Sequence, residues 1–213
     1  MVERPHYRKL FDEQLVEIDR KVVHLFALVT EAIASATEAL LTGDHVAGRA
    51  TAEQDAVVDQ LEQDIEELAQ REVLLQSPLA RDMRYLLSVL RIVPELERSG
   101  DLAEHIAQRA ITGLGTRLTP TARGTLQEMA TACGDMWRAA ADAWAEHDTD
   151  AAEQLATDDD HIDALHDRLI AELCQGDLEL VDALQATLLA RFYERLGDHA
   201  VHITERIGYL AGV

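Results

Sequence analysis

Aromatic residues make up only 4 % of this chain of 213 residues, although hydrophobic residues as a whole make up 47 %. Alanine and leucine supply most of the apolar content, and they favour closely packed helices over aromatic-rich sheets. With 4 prolines and 11 glycines, the chain has few residues that interrupt a helix. The composition therefore predicts an all-α protein.

Cysteine and basic residues are also scarce. Cys133 and Cys174 form no recognisable spacing motif, so we expect no disulfide framework, and a reducing cytoplasm fits best. Forty acidic residues face 19 basic ones, which gives a formal charge of −21. This charge disfavours non-specific binding to nucleic acid and electrostatic docking to anionic lipid. It favours cations or basic protein surfaces as partners, or it serves only to keep the protein soluble.

Signals for export or membrane insertion are missing as well. The first residues lack the apolar run of a secretory signal. No uncharged apolar stretch is long enough to span a bilayer. We therefore expect a soluble, cytoplasmic protein with no direct membrane insertion.

Apolar residues recur at helical spacing along most of the chain. Gly43 suits the left-handed position at a helix C-terminus, and Asp44 can cap the helix that follows. Pro78 is expected in the first turn of the third helix, and Pro94 makes a kink in that helix possible. Glycine, threonine and proline in the segment 113–120 mark the clearest break in the chain. The pattern predicts six helices, over residues 10–41, 44–75, 78–114, 121–145, 151–173 and 178–210.

The second half of the chain repeats the first. Asp44 corresponds to Asp148, 104 residues later, and the same offset relates the acidic residues of the second helix in each half. The offset falls to 97 residues at the third helix, so length is lost only near a turn. We predict two tandem three-helix bundles related by duplication, over residues 1–116 and 117–213, within one compact unit.

Carboxylates occur in matching pairs, four residues apart, on the second and third helices of both halves. Such a pair projects from one face of a helix, and the like charges destabilise that helix by a few tenths of a kcal/mol. If the second and third helices pack antiparallel, four carboxylates of each half converge on one site. Their oxygens suit hard cations such as magnesium, calcium, manganese or iron. The candidate metal ligands are Asp55 and Asp59, Glu97 and Asp101, Asp159 and Asp163, and Glu194 and Asp198.

A glycine precedes the second carboxylate of each third-helix pair. Gly100 and Gly197 would cost about 1 kcal/mol each inside a helix, which is tolerable where a neighbouring helix or a ligand must approach closely. Alternatively, each glycine ends a helix, as at Gly43. His105 and His202 follow at equivalent positions and are either further metal ligands or ordinary polar residues at a helix edge.

Residues 194–200, Glu-Arg-Leu-Gly-Asp-His-Ala, resemble the signature of the PhoU family of phosphate-transport accessory and regulatory proteins. Residues 95–101 resemble a degraded copy of the same signature. The segments 11–15, 55–62 and 78–84 also fit the family, in its order. The resemblance therefore covers essentially the whole chain.

Membership of that family would imply two three-helix bundles side by side, with metal ions on the acidic pairs and no catalysis. The ions would be iron, manganese, magnesium or zinc. The protein would act as an adaptor between the ATPase subunit of a phosphate ABC importer and a sensor histidine kinase, repressing the phosphate-starvation response. We also expect a homodimer in the cytoplasm, which reaches the inner face of the membrane through its protein partners.

The sequence departs from the family pattern at a few positions and leaves other functions open. Ser99 replaces an aliphatic residue in the first motif, so we expect the second acidic cluster to be the more reliable site. One alternative function is a carboxylate-bridged di-metal enzyme on a helical bundle. Such enzymes use Glu-x-x-His pairs, which are not what repeats here. Another alternative is a structural module whose acidic residues are merely solvated.

Overall fold

The computed structural model describes residues 4–76, 78–175 and 178–210, and these contain eight α-helical segments and no strand. The all-α prediction is thereby confirmed. Six long helices correspond to the six predicted ones. Of two short segments, one (45–53) lies within the predicted second helix, and the other (114–117) lies in the predicted break and was not expected to be helical. The segments are α1 (Arg4–Thr42), α2 (His45–Glu53), α3 (Asp55–Gln76), α4 (Ala80–Ile111), α5 (Leu114–Arg117), α6 (Pro120–Glu146), α7 (Ala151–Gln175) and α8 (Leu180–Leu210).

The turn between α1 and α2 has the predicted chemistry. Gly43 adopts a left-handed conformation with φ of +74°, and its N–H donates to the carbonyl of Ala39 at 2.9 Å. The Asp44 side chain accepts hydrogen bonds from the N–H groups of Val46 and Ala47, both at 2.9 Å. These contacts satisfy backbone groups that the helix ends would otherwise leave unpaired.

The predicted second helix is wrong in its continuity, because the chain breaks at Gln54 into α2 and α3. The N–H of Gln54 bonds to the carbonyl of Thr51, three residues back, instead of four. The prediction that Pro78 lies in the first turn of the third helix is also wrong, because α4 begins at Ala80, after Leu79 in an extended conformation.

Two further prolines lie inside a helix or at its start. Helix α4 continues through Pro94 without interruption. Pro120 begins α6, and the hydroxyl of Thr119 accepts a hydrogen bond from the N–H of Ala122 at 3.2 Å, which caps that helix. The link predicted between the fifth and sixth helices, after residue 173 and before 178, lies partly outside the described residues.

The two halves share one hydrophobic core. Helices α1, α3 and α4 pack together, as do α6, α7 and α8, while α4 contacts α8 and α1 contacts α6. Two polar contacts reinforce the core. The Tyr193 hydroxyl lies 2.8 Å from the half-buried Thr37 hydroxyl, and the buried Trp137 Nε1 donates to the Leu196 carbonyl at 3.0 Å. The predicted division after residue 116 falls inside α5 and stays a prediction.

In the described part of the chain, one helix is long and apolar enough to cross a membrane by length and composition, and it is α1. Its apolar stripe, which includes Ile18, Val22 and Leu25, is fully buried against the rest of the bundle. A core helix of this kind passes the same test as a membrane span.

Candidate metal centres

The structure places the eight predicted carboxylates at two equivalent helix interfaces. The first four lie where α3 packs against α4, and the second four lie where α7 packs against α8. Gly100 and Gly197 lie within α4 and α8, so the alternative in which each glycine ends a helix is wrong. Each acidic motif is therefore part of a continuous helix that faces its acidic neighbour.

In the first cluster, three carboxylates converge. Asp55, Asp59 and Asp101 each present one oxygen such that the three oxygens lie within 4.8 Å of one another, and all three residues are half-buried. Glu97 is half-buried on the same side of α4, and the charges of Asp101 and Asp59 act on it. The first cluster thus supplies three close oxygens and a fourth carboxylate at its edge.

The second cluster is more open. Asp159, Glu194 and Asp198 are half-buried, but Asp163 is exposed, unlike its counterpart Asp59. Among the described residues of this half, no three donor atoms converge as they do in the first. Glu194 is also engaged by Arg191 in an ion pair. The degraded motif with Ser99 therefore marks the cluster in which more donor atoms converge, and the expectation that the second cluster is the more reliable metal site stays a prediction.

The two glycines allow the acidic helices to approach each other closely. A Cβ atom on Gly197 would lie 2.4 Å from Asp159 Oδ1, which is far inside contact distance. A Cβ atom on Gly100 would lie 3.0 Å from Val58 Cγ1 and 3.5 Å from Asp55 Oδ1. In both clusters, the space that a side chain at the glycine would fill is occupied by an aspartate of the facing helix and by the apolar residue three positions after that aspartate.

The protein environment raises the pKa of several of these carboxyl groups. Burial, followed by the charges of Asp59 and Asp101, raises the pKa of Asp55 to about 6. Burial and neighbouring carboxylates likewise raise the pKa values of Glu97 and Asp159 to about 6. Near neutral pH the clusters therefore hold crowded negative charges that a cation would relieve.

Equivalent oxygens in the two clusters are buried without a hydrogen-bond partner among the described residues. They are Asp55 Oδ1 in the first cluster and Asp159 Oδ1 in the second, joined there by Glu194 Oε2. An unpartnered buried acceptor is costly unless something binds it. Since the donors in both clusters are carboxylate oxygens, the residues fit a hard cation such as magnesium, manganese or iron.

The two histidines considered as extra ligands are not among the converging donors. Both His105 and His202 are exposed. The His105 ring stacks on Phe192 with centroids 5.3 Å apart, and the Arg109 guanidinium lies 4.9 Å from the centroid of the same aromatic ring. Neither imidazole belongs to the converging group of donors.

Sequence reasoning missed a polar contact between the two halves. His199 is buried, and its Nδ1 lies 2.9 Å from Ser99 Oγ, while its Nε2 lies 3.6 Å from Glu95 Oε2. The serine that departs from the family pattern is thus the hydrogen-bond partner of a histidine on α8. Because Ser99 has no exposed surface, this Ser-His-Glu row joins α4 to α8 and presents no nucleophile to a substrate.

Comparison with known proteins gives a consistent result. The sequence model of the PhoU domain matches residues 22–110 and 126–207. The phosphate-specific transport system accessory protein PhoU homolog 2 of Mycobacterium tuberculosis is 31 % identical over 207 residues, covering 96 % of this chain and 97 % of that protein. The PhoU homolog of Rhizobium meliloti is 28 % identical, covering 97 % of this chain and 89 % of that protein.

Solved structures agree with the sequence comparisons. The crystal structure of PhoU from Pseudomonas aeruginosa superposes with a TM-score of 0.89 at 28 % identity, covering 95 % of this chain and 99 % of that chain. The phosphate transport system regulatory protein PhoU from Streptococcus pneumoniae gives a TM-score of 0.84 at 25 % identity, covering 94 % and 96 %. The likeness extends over both halves of the duplicated bundle.

Proposed function

Since the chain belongs to the PhoU family, we propose that it acts in phosphate homeostasis as a metal-binding regulatory adaptor. The single observation that carries the metal-binding part is the pair of orphaned oxygens, Asp55 Oδ1 and Asp159 Oδ1, at equivalent places in two acidic clusters. The regulatory part is supported by relatives whose names describe accessory and regulatory proteins of phosphate transport.

A cation at each cluster would connect two helices of a bundle. Asp55, Asp59 and Asp101 would hold it in the first half, with Glu97 at the edge. Asp159, Glu194 and Asp198 would hold it in the second half, with Asp163 free to swing in from solvent; both sets are carboxylate-only. The chemistry that the ion supplies is neutralisation of crowded carboxylates, which stabilises the contacts of α3 with α4 and of α7 with α8.

The adaptor would connect the ATPase subunit of a phosphate ABC importer with a sensor histidine kinase, and it would repress the phosphate-starvation response when phosphate is plentiful. Its formal charge of −21 favours basic surfaces on those partners. We further propose a cytoplasmic homodimer that meets the membrane only through these proteins. No catalytic step is assigned to it.

Metal analysis tests the first part of the proposal. Protein purified without chelators should carry iron, manganese, magnesium or zinc, and manganese or iron should raise the melting temperature of chelated protein. The double variant Asp55→Asn with Asp159→Asn should lose both the metal and the thermal response. If wild-type protein carries no metal and neither ion raises its melting temperature, the metal-binding part is wrong.

Partner capture tests the second part. Immobilised protein should retain the transporter ATPase or the kinase from purified components, and capture of neither would refute the adaptor role. Oxidase or hydrolase activity after loading with iron or manganese would instead favour the di-metal enzyme. Loss of such activity in the double aspartate variant would locate it at the clusters.

A further inference from the structure

A pocket of about 340 Å³ lies at the end of the bundle where α4 begins and α6 ends. Arg81, Arg84 and Tyr85 line it from the first turns of α4, and His147 and Thr149 line it from the turn between α6 and α7. The end of α8 closes it with apolar side chains. No carboxylate lines this pocket in the described part of a chain whose formal charge is −21.

The arginines of this pocket lack anionic partners among the described residues. Arg84 Nε is buried without a hydrogen-bond acceptor, and neither Arg81 nor Arg84 takes part in a salt bridge there. The nearest acid in sequence, Asp82, is engaged by Arg8 at 2.9 Å. An anion in the pocket would accept charge-assisted hydrogen bonds from the guanidinium groups that line it.

Aromatic packing holds the walls of the pocket in place. The Tyr85 ring lies 6.1 Å from the Trp144 ring, and its hydroxyl donates to Asp19 at 3.2 Å. His147 ends α6 in a left-handed conformation with φ of +55°, and its ring lies edge-on to Trp144 at 6.4 Å. These contacts fix the relative positions of α4 and the α6–α7 turn before any ligand arrives.

The carboxylates of Asp148 and Asp150, beside the pocket, already accept hydrogen bonds within their own turn. Asp148 accepts a hydrogen bond from the N–H of Asp150 at 2.9 Å. The Asp150 carboxylate lies 3.5 Å from the hydroxyl of Thr149. The first turn of α4 contributes partial positive charge to the pocket, and the C-terminal ends of α6 and α8 contribute partial negative charge. Because these helix contributions oppose each other, the arginine side chains determine the sign of the electrostatic potential in the pocket.

The internal duplication shows that the fold does not require these arginines. The positions 97 residues after Arg81 and Arg84 are occupied by Leu178 and Val181. The position equivalent to Tyr85 is Asp182, whose carboxylate is held by Arg117 through two hydrogen bonds of 2.8 and 2.9 Å. In the second half, the region equivalent to the pocket therefore contains its own carboxylate. In the first half, the described residues leave the guanidinium groups of Arg81 and Arg84 without an anionic partner.

We propose that this pocket binds a phosphate-class oxyanion, with the guanidinium groups of Arg81 and Arg84 as its main ligands. Guanidinium presents paired N–H donors whose geometry matches phosphate oxygens. The His147 imidazole lies on the opposite wall and adds a further donor. Free phosphate and the phosphoryl group of a small metabolite share this chemistry, and the volume of the pocket is large enough for either.

Isothermal titration calorimetry on chelated full-length protein tests the proposal, since chelation removes any metal-bound phosphate at the acidic clusters. Inorganic phosphate and adenosine monophosphate are titrated separately at matched ionic strength. We expect saturable binding of at least one, weakened about tenfold or more in Arg81→Gln with Arg84→Gln. Arg91→Gln, on the same helix beside Glu95 and outside this pocket, is the matched control and should bind as wild type does.

The outcomes separate the sources of the anion. Binding of inorganic phosphate assigns the pocket to the free ion, and binding of the nucleotide alone assigns it to a phosphorylated metabolite. No saturable binding of either at concentrations up to about 50 mM refutes the proposal. Equal binding by the double variant and wild type also refutes it. If the double variant fails to show a wild-type helical spectrum, Arg81→Gln alone, which changes an exposed side chain, decides the matter.

Discussion

The variant Gly197→Ala tests whether this glycine is needed for metal binding at the second cluster, separately from its effect on the stability of α8. Alanine is favoured over glycine by about 1 kcal/mol inside a helix, and Gly197 lies in the interior of α8. The new methyl group would lie 2.4 Å from Asp159 Oδ1. That oxygen is the end of a side chain that can rotate, so the backbone can keep its place while the carboxylate leaves the cluster.

We therefore expect Gly197→Ala to unfold at the same temperature as wild type or slightly higher when metal is absent. One kcal/mol corresponds to about 2–4 °C in a chain of this size. Manganese binding should behave differently, because displacement of Asp159 removes a ligand from the second cluster. Equilibrium dialysis should show about half the wild-type number of manganese ions per chain.

Two other glycines provide matched controls. Gly100→Ala brings a Cβ atom to 3.0 Å from Val58, a stiff β-branched side chain, but leaves Asp55 Oδ1 at an ordinary 3.5 Å. This variant should therefore not gain the stability expected of an alanine in a helix, and it should bind as many manganese ions per chain as the wild type. Gly134→Ala, on α6, meets only Arg138 at 3.7 Å and should gain about 1 kcal/mol without any change in metal binding. Wild-type manganese stoichiometry in Gly197→Ala would refute the reasoning.

Two further predictions concern stability. Ser99→Ala leaves the buried His199 Nδ1 without its partner and should cost about 1–3 kcal/mol, as measured by urea unfolding. A cost below about 0.5 kcal/mol would show that the contact contributes little. Raised pKa values at Asp55, Glu97 and Asp159 mean that the folded state binds more protons than the unfolded state between about pH 4 and 6, so metal-free protein should gain stability as pH falls from 7 towards 5. Asp55→Asn should flatten this pH dependence, and an unchanged slope would contradict the assignment.

The features that could be predicted from sequence are those that short segments specify. The left-handed Gly43 and the capping Asp44 followed from local backbone chemistry, and they end α1 and begin α2 as expected. Helical periodicity located the six long helices for the same reason. The duplication then placed matching carboxylates on matching helices, because a repeated sequence folds into repeated geometry.

Features that depend on contacts between distant segments were not predictable from sequence. The break at Gln54 has no proline or glycine to mark it, and it follows Gly48, which packs against α4 at a distance where a Cβ atom would lie 3.1 Å from Ala110. The contact of Ser99 with His199 joins residues a hundred positions apart. The exposure of Asp163 depends on how α7 is rotated against α8, which no local pattern reports.

Helix α4 carries both a candidate cation site and the proposed anion pocket. Thirteen residues separate Arg84 from Glu97, which at 1.5 Å per residue is about 20 Å along the helix. That distance exceeds the screening length of about 8 Å at physiological ionic strength, so direct attraction between the two bound ions would be weak. The position of α4, which both sites share, is therefore the more direct route by which one ion would influence the affinity for the other. Its contacts with α3 at the acidic cluster, with the α6–α7 turn at the pocket and with α8 through Ser99 make this helix the element that both ligands would hold in place.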